Sequence, residues 1–255
     1  MNHQLSTIAL ALLLTACATA PSEPPPQQQE RLAASSASSS AAASESATAQ
    51  RVSAPALSAL PERMQLEVPF VPQAPYANWA PPFDEACEEA ALLLMEFALR
   101  GEPLSKATMA AEIRAMVQWE EANGYAVDIT IAELAQVARD YLGRSATVYT
   151  GSDVTTQHIR ELLAAGNPVI IPAAGQMLGN PYFSGEGPPY HMLVLTGYEP
   201  GSLFTSPRFV TNDPGTKRGE DYTYNVETVM NAIHDWTGSK ETIREGTKVM
   251  MVVSH

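Results

Sequence analysis

Pro189-Tyr-His-Met-Leu-Val-Leu-Thr-Gly-Tyr198, answered by Arg208-Phe-Val-Thr-Asn-Asp213-Pro-Gly215, is the pair of segments on which the fold turns. Both runs are short, apolar and rich in β-branched and aromatic residues. The Gly, Ser and Pro between Pro200 and Pro207 supply a connection, so the two read as an antiparallel hairpin. Centred near residues 203–204, that hairpin sets the start of one strand against the end of the other. Asp213 then comes within a few residues of His191. Side chains alternate along a strand, so Asn212 points to the opposite face, and a one-residue slip in register would exchange the two.

Working outward, further β-rich runs at 146–149, 168–173 and 248–253 give the hairpin neighbours, whereas the first half of the chain is helical in period. Ala86–Arg100 (ACEEAALLLMEFALR) is a long apolar helix with Gly101 placed to cap its C-terminus. Ser105 can cap a helix running to about Asn123, and Thr130-Ile-Ala-Glu133 is a capping box opening another that ends by Gly143. Helical segments are also expected over 156–165 and, capped by Asn225, over 226–235. Helices first and antiparallel strands after is an α+β pattern.

Composition narrows the function. The chain of 255 residues carries 15 Lys and Arg against 28 Asp and Glu, a net charge of −13. So acidic a chain lacks the basic surface that phosphate contacts require, which argues against a nucleic-acid partner. No apolar run reaches the roughly 20 residues of a membrane helix. The two cysteines, Cys17 and Cys87, exclude a disulfide-dense scaffold. Cys87 opens the most apolar helix, just after a Pro-rich loop, where free N–H groups favour a thiolate. A thiolate nucleophile needs a base, and the base an orienter. Of the five histidines, His3 lies in the signal-like segment and His255 is terminal, while His158 and His234 sit among polar residues of helical segments. His191 begins a buried strand beside a Gly/Pro loop, and Asp213 follows from the hairpin. With His191 and a helix N-terminus beside it, the Cys87 thiol is expected to ionise below the usual value of about 8.5. Cys87, His191 and Asp213 are also permissible zinc ligands, but no CxxC or HxxxH spacing supports a metal, and none is expected.

The N-terminus carries an address. Leu5–Leu14 is an apolar run of signal-peptide length, and Leu14-Thr-Ala-Cys17 resembles the lipobox of bacterial lipoproteins. On that resemblance residues 1–16 are removed and Cys17 carries lipid, with Ala18 directing the protein to the outer membrane, facing the periplasm. Residues 17–60, rich in Ala, Ser, Pro and Gln and free of aromatics, read as the lipidated N-terminus and an unstructured tether. A flexible tether of that length averages roughly 35–40 Å end to end. The folded domain is expected over 61–255.

Val68-Pro-Phe-Val-Pro-Gln73, Cys87-Glu-Glu-Ala-Ala91, Pro189-Tyr-His191-Met-Leu-Val and Asn212-Asp213-Pro-Gly resemble a known motif set. It is that of the bacteriocin-processing (double-glycine leader) peptidase-like proteins, cysteine-peptidase family 39 of the papain-like superfamily. The resemblance spans about 66–253. It implies a papain-like fold whose N-terminal helical part carries the cysteine and whose C-terminal antiparallel sheet carries the histidine and aspartate. It further implies Cys87 as nucleophile, His191 as base, Asp213 as orienter, and Gln73 with the Cys87 backbone N–H as oxyanion hole. Asn in place of Asp can also orient a histidine, so Asn212 stays open. A peptide or protein substrate and no cofactor are implied. The family usually has Gly after its cysteine, where this chain has Glu88-Glu89, and no Walker-type GxxxxGK[ST] occurs, so leader cleavage after Gly-Gly is not implied. Trp79 and Tyr190, with the aromatics Tyr76, Tyr182 and Phe183, are candidates to line a substrate cleft. A peptide-binding module on the same scaffold, or an acyltransferase or amidase using the same triad, are the alternatives.

Overall fold

The computed structural model describes residues 59–255; Cys17, the signal-like segment and nearly all of the tether lie outside them. Chain order is β1 (Met64–Gln65), α1 (Cys87–Arg100), α2 (Lys106–Ala122), α3 (Ile131–Asp140), β2 (Ser145–Thr150) and α4 (Thr156–Ala164). β3 (Val169–Ala174), β4 (Tyr190–Glu199), β5 (Arg208–Asn212), β6 (Tyr222–Asn225), α5 (Val226–Ala232) and β7 (Val249–Ser254) follow. The fold is α+β. β1 and β6 are additions to the sequence reading, and α5 stops at Ala232, short of 235.

Local chemistry sets the helix ends. Gly101 takes φ +63° and its N–H returns to Ala98 O, closing α1 in the left-handed conformation that glycine adopts freely. The Ser105 hydroxyl accepts from Thr108 N at 3.0 Å. Both halves of the α3 capping box form: Thr130 Oγ1 accepts from Glu133 N, and Glu133 Oε2 accepts from Thr130 N at 2.8 Å. Such caps contribute about 1 kcal/mol each. The N-terminus of α1 is the exception, since Ala86 has no side chain to cap it.

All strand pairs are antiparallel, in the order β2-β7-β3-β4-β5-β6, with β1 also pairing β4. Alternation along β4 builds two cores. Met192 and Val194 face α1–α3 together with Ile170 and Met251, while Leu193 and Leu195 face the α4 and α5 side with Ile171 and Phe209. Helix α1 is apolar nearly all round because it is covered on nearly all sides: Leu92, Leu93, Leu94 and Met95 are at most 1% exposed. Burying each such side chain stabilises the fold by about 1.5–3 kcal/mol. That burial fixes the helix, and with it the cysteine at its first position.

The hairpin has the register that places the site. Glu199↔Arg208, Tyr198↔Phe209 and Gly197↔Val210 pair about a centre near 203–204; a bulge then shifts the pairing to Leu195↔Thr211 and Val194↔Asn212. The bulge falls at Thr196, next to Gly197, where β1 runs alongside through Gln65. Asp213 emerges directly from the end of β5.

Candidate active site

Cys87 is the first residue of α1, and its backbone N–H has no partner within the helix geometry. With Ala86 unable to cap, the Cys87 N–H remains available as a donor, while the Glu88 and Glu89 N–H groups turn to their own carboxyls. The thiol lines a cleft of about 1190 Å³ together with Gln73, His191 and Gly215. Trp79 and Tyr190 line the same cleft, as do Tyr76, Tyr182 and Phe183. Trp79 is exposed, whereas Tyr190 is buried and its hydroxyl donates to Ile129 O at 2.9 Å.

The sheet side is fully built. His191, 1% exposed, places Nε2 at 2.7 Å from Asp213 Oδ1, which leaves Nδ1 as the free ring nitrogen. Asp213 is wholly buried and is met by four donors. Gly215 N joins His191 on Oδ1 at 3.0 Å, while the Tyr224 hydroxyl and Asn180 Nδ2 donate to Oδ2. Burial opposes ionisation of this carboxyl, but the His191 ring and the Tyr224 and Gly215 donors outweigh it and hold Asp213 below the usual carboxylate range. Asn212 does not reach the histidine. It points to the other face, donating to Val68 O at 3.0 Å and accepting from Asp221 N at 3.1 Å, so it ties β1's flank to the loop before β6.

The ring itself is clamped by two glycines. A Cβ at Gly215 would lie 2.7 Å from His191 Cε1, and one at Gly175 would lie 2.9 Å from His191 Cβ. Phe183 closes edge-on at 5.3 Å. Asn180 and Tyr224 were not legible in the sequence. Asn180 is the hub of this side: Nδ2 serves Asp213 and Tyr224, while Oδ1 accepts from Tyr182 N at 3.0 Å and so anchors the loop carrying Phe183. No local pattern marks a lone loop Asn, though the aromatic pair Tyr222 and Tyr224 just past Asp213 was a signal that a strand follows there.

The helix side differs from expectation. The single hydrogen bond of the Cys87 thiol among the described residues goes to Glu88 Oε2 at 2.9 Å, and none joins it to His191. Burial first, and the Glu88 carboxyl second, push the thiol well above its ordinary value. The expectation of a depressed thiol is therefore overturned for this conformation: burial and an adjacent acid outweigh the helix terminus. Glu88 is itself 1% exposed, and burial pushes it up to about 8, against the favourable bond to Cys87. Glu89 is likewise raised by burial and then by Glu88 and Glu120. One oxygen each of Glu89 and Glu120 is buried with no donor among the described residues; burial raises both carboxyls, and the bond between them holds the proton on Glu89 at the expense of Glu120.

Gln73 reaches the cleft, but its amide nitrogen is engaged: Nε2 donates to Phe83 O at 3.0 Å and is 3.4 Å from Asp84 O, with Oε1 buried and without a partner among the described residues. That orientation is fixed, because exchanging O and N would set a carbonyl against a carbonyl. Gln73 thus pins the loop that leads into Cys87. Among the described residues no group of three or more His, Cys, Asp or Glu side chains is arranged to hold a metal ion.

The model of the Peptidase_C39 like family matches residues 65–243. Solved structures with a similar chain include a C39-like peptidase from Bacillus anthracis, at 18% identity and TM-score 0.48, covering 76% of this chain and 99% of that one. Another is xylellain, a cysteine protease from Xylella fastidiosa, at 14% identity and TM-score 0.36, covering 77% and 87%. No curated protein matches the chain at a significant level. With a cysteine at a helix start, a histidine–aspartate pair on the sheet, and a family match over most of its length, this chain belongs to the C39-like cysteine peptidases of the papain-like class.

Proposed function

We propose that the chain is a lipid-anchored, extracytoplasmic cysteine peptidase that hydrolyses a peptide or amide bond with Cys87, His191 and Asp213. The observation that carries this reading is the cleft lined by both Cys87 and His191, with His191 bonded behind it to a wholly buried Asp213 that four donors keep ionised. His191 Nδ1, the nitrogen not committed to Asp213, takes the thiol proton as sulfur bonds to the carbonyl carbon. The oxyanion so formed meets the Cys87 backbone N–H, and Gln73 Nε2 once it releases Asp84 O. Such preorganised donors contribute roughly 3–4 kcal/mol each. Collapse breaks the C–N bond while His191 returns the proton to the leaving nitrogen. Water, deprotonated by the same ring, then attacks the thioester, the C–S bond breaks, and the thiol is restored. Asp213 fixes the ring orientation throughout.

Cys87→Ala should abolish turnover of a mixed peptide library while leaving the far-UV spectrum and melting unchanged; retained turnover in the purified variant would remove Cys87 from the nucleophile's role. Anchoring rests on the Leu14-Thr-Ala-Cys17 segment, with the protein at the bacterial envelope. Cys17→Ala should move the protein from the membrane to the soluble fraction with activity intact, and persistence in the membrane would contradict the anchor.

A further inference from the structure

Glu88 is the residue on the helix side that the mechanism leaves without a role. Its carboxyl is 1% exposed and its two oxygens are engaged in different directions. Oε2 holds the Cys87 thiol at 2.9 Å, and Oε1 accepts from Ile129 N at 3.3 Å. The Ile129 carbonyl in turn accepts from the hydroxyl of Tyr190, the neighbour of His191 on β4. Ile129 thus meets Glu88 through its N–H and the β4 residue next to the base through its C=O.

We propose that Glu88 is a pH-dependent latch on the nucleophile: its buried carboxyl, when ionised, holds the Cys87 S–H, and the sulfur becomes reactive only when that bond is given up for His191. This deepens the reading of Cys87 as nucleophile and rests on it.

The surroundings of Glu88 explain why the bond is kept. From α1 it faces Cys87 and Glu89. From the segment before α3 it faces Asp128, and from β4 Tyr190, whose own proton is held more tightly by burial and by Glu88. All of these are acids. The cation Lys240 is held by Asp128 at 3.4 Å and Glu85 at 2.7 Å and makes no ion pair with Glu88. The thiol, the Ile129 N–H and the residue's own backbone N–H are thus the donors that favour an ionised Glu88, and a thiolate formed there would set a second negative charge against the first. Turning Sγ toward His191 Nδ1 separates the charges and gives the thiol proton a base. Protonation of the carboxyl also releases the latch. Burial raises Glu88 to about 8, so the latch is charged and tight above that pH and weakens below it.

Glu88 acts through Cys87, so it is a positioning residue, and its test is a pH profile. The rate of iodoacetamide alkylation of Cys87 would be followed from pH 5 to 11 in the full chain, read by mass spectrometry of the Cys87 peptide. The wild-type midpoint should lie above that of a free thiol. Glu88→Gln, which keeps the shape and an acceptor but not the charge, should lower it by about one unit or more, roughly tenfold faster labelling at pH 8. Glu88→Asp keeps the charge but draws it back from Sγ and should fall between them, which covers the case that the Gln variant does not fold. A wild-type midpoint below neutral pH, or variants that titrate with the wild type, would overturn the latch. Labelling does not depend on turnover: a protein whose midpoint shifts as stated but that cleaves no peptide would keep the latch and reject the peptidase.

Discussion

On the sheet side of the cleft the groups around Asp213 are all partnered, while on the helix side several buried oxygens have no partner among the described residues. Asp213 receives four donors, Asn180 uses both ends of its amide, and His191 is held between two glycines and Phe183. On the helix side, Gln73 Oε1, Glu89 Oε2 and Glu120 Oε1 are buried without a donor among the described residues, and the thiol rests on an acid. A satisfied network needs no rearrangement when substrate arrives, so the base and its orienter are preorganised. A side built of buried carboxyls is instead governed by how many protons it holds. The half that must move is the one that carries the nucleophile.

The largest effect should come from breaking the satisfied side at its centre. Asp213→Asn replaces an acceptor by an amide whose NH₂ faces donors from His191 or Tyr224. We expect kcat to fall about 10³-fold or more, and stability by about 2–5 kcal/mol, the cost of a buried ionic network losing one member. Tyr224→Phe leaves the charge in place and should cost less, about 1–3 kcal/mol, for one donor lost to a buried carboxylate. The acid limb checks the assignment. Because the folded Asp213 holds its proton more weakly than the unfolded chain, its contribution is present above the unfolded carboxylate value of about 3.9. It is lost as pH falls through the folded value, so the Asn variant should lack that component of acid unfolding. Thermal melts of both variants between pH 2 and 7, with turnover at pH 7, decide it; an Asn variant that keeps the wild-type acid limb would mean that Asp213 is not ionised in the fold.

The helix side should respond with the opposite sign. Glu89 is raised by burial and by Glu88 and Glu120, so the folded state keeps a proton that the unfolded chain gives up above about pH 4.3. Stability therefore falls as pH rises from that unfolded value toward the folded one. Glu89→Gln removes this dependence. Its melting temperature should match the wild type near pH 4 and exceed it at pH 8 by at least ~2–4 °C, about 1 kcal/mol for a domain of this size. An equal difference at both pH values would show that the pair with Glu120 holds no extra proton.

This contrast also explains what could be read from the residues alone. The hairpin was legible because its strand runs are apolar and its connection centres on 203–204, and that geometry alone brings Asp213 to His191. Helix ends at Ser105 and Thr130 were legible because caps are chemistry within four residues. Asn180 and Tyr224 were not, since each acts on Asp213 from a separate segment, 33 and 11 residues away. The state of the thiol was misjudged for the same reason. A helix N-terminus and a nearby histidine can be seen along the chain, but complete burial comes from elements packed around α1, and it dominates.

The smallest effect is expected where the helix side touches solvent. Lys240 bridges Glu85 at 2.7 Å and Asp128 at 3.4 Å, yet its side chain is 33% exposed. Burial works against its charge, and the two carboxylates more than restore it, so its proton is held above the usual lysine value. A raised lysine contributes stability that is fully present below the unfolded value of about 10.4 and is lost only as pH rises through the folded one. Across pH 5–9 that contribution is therefore constant, and at this exposure solvent screening keeps it within about 0–1 kcal/mol. Lys240→Gln should accordingly shift the melting temperature by less than ~4 °C, with the difference shrinking further in 0.5 M salt. Through Asp128, the same change should nudge the Cys87 labelling midpoint upward, because a partly compensated acid near Glu88 becomes uncompensated. That shift should be well below the one caused by Glu88→Gln, which touches the sulfur directly. Melts and labelling profiles at low and high salt measure both. A midpoint displaced as far by Lys240→Gln as by Glu88→Gln would mean that the helix side is charge-balanced through Lys240, and the contrast between the two sides of the cleft would disappear.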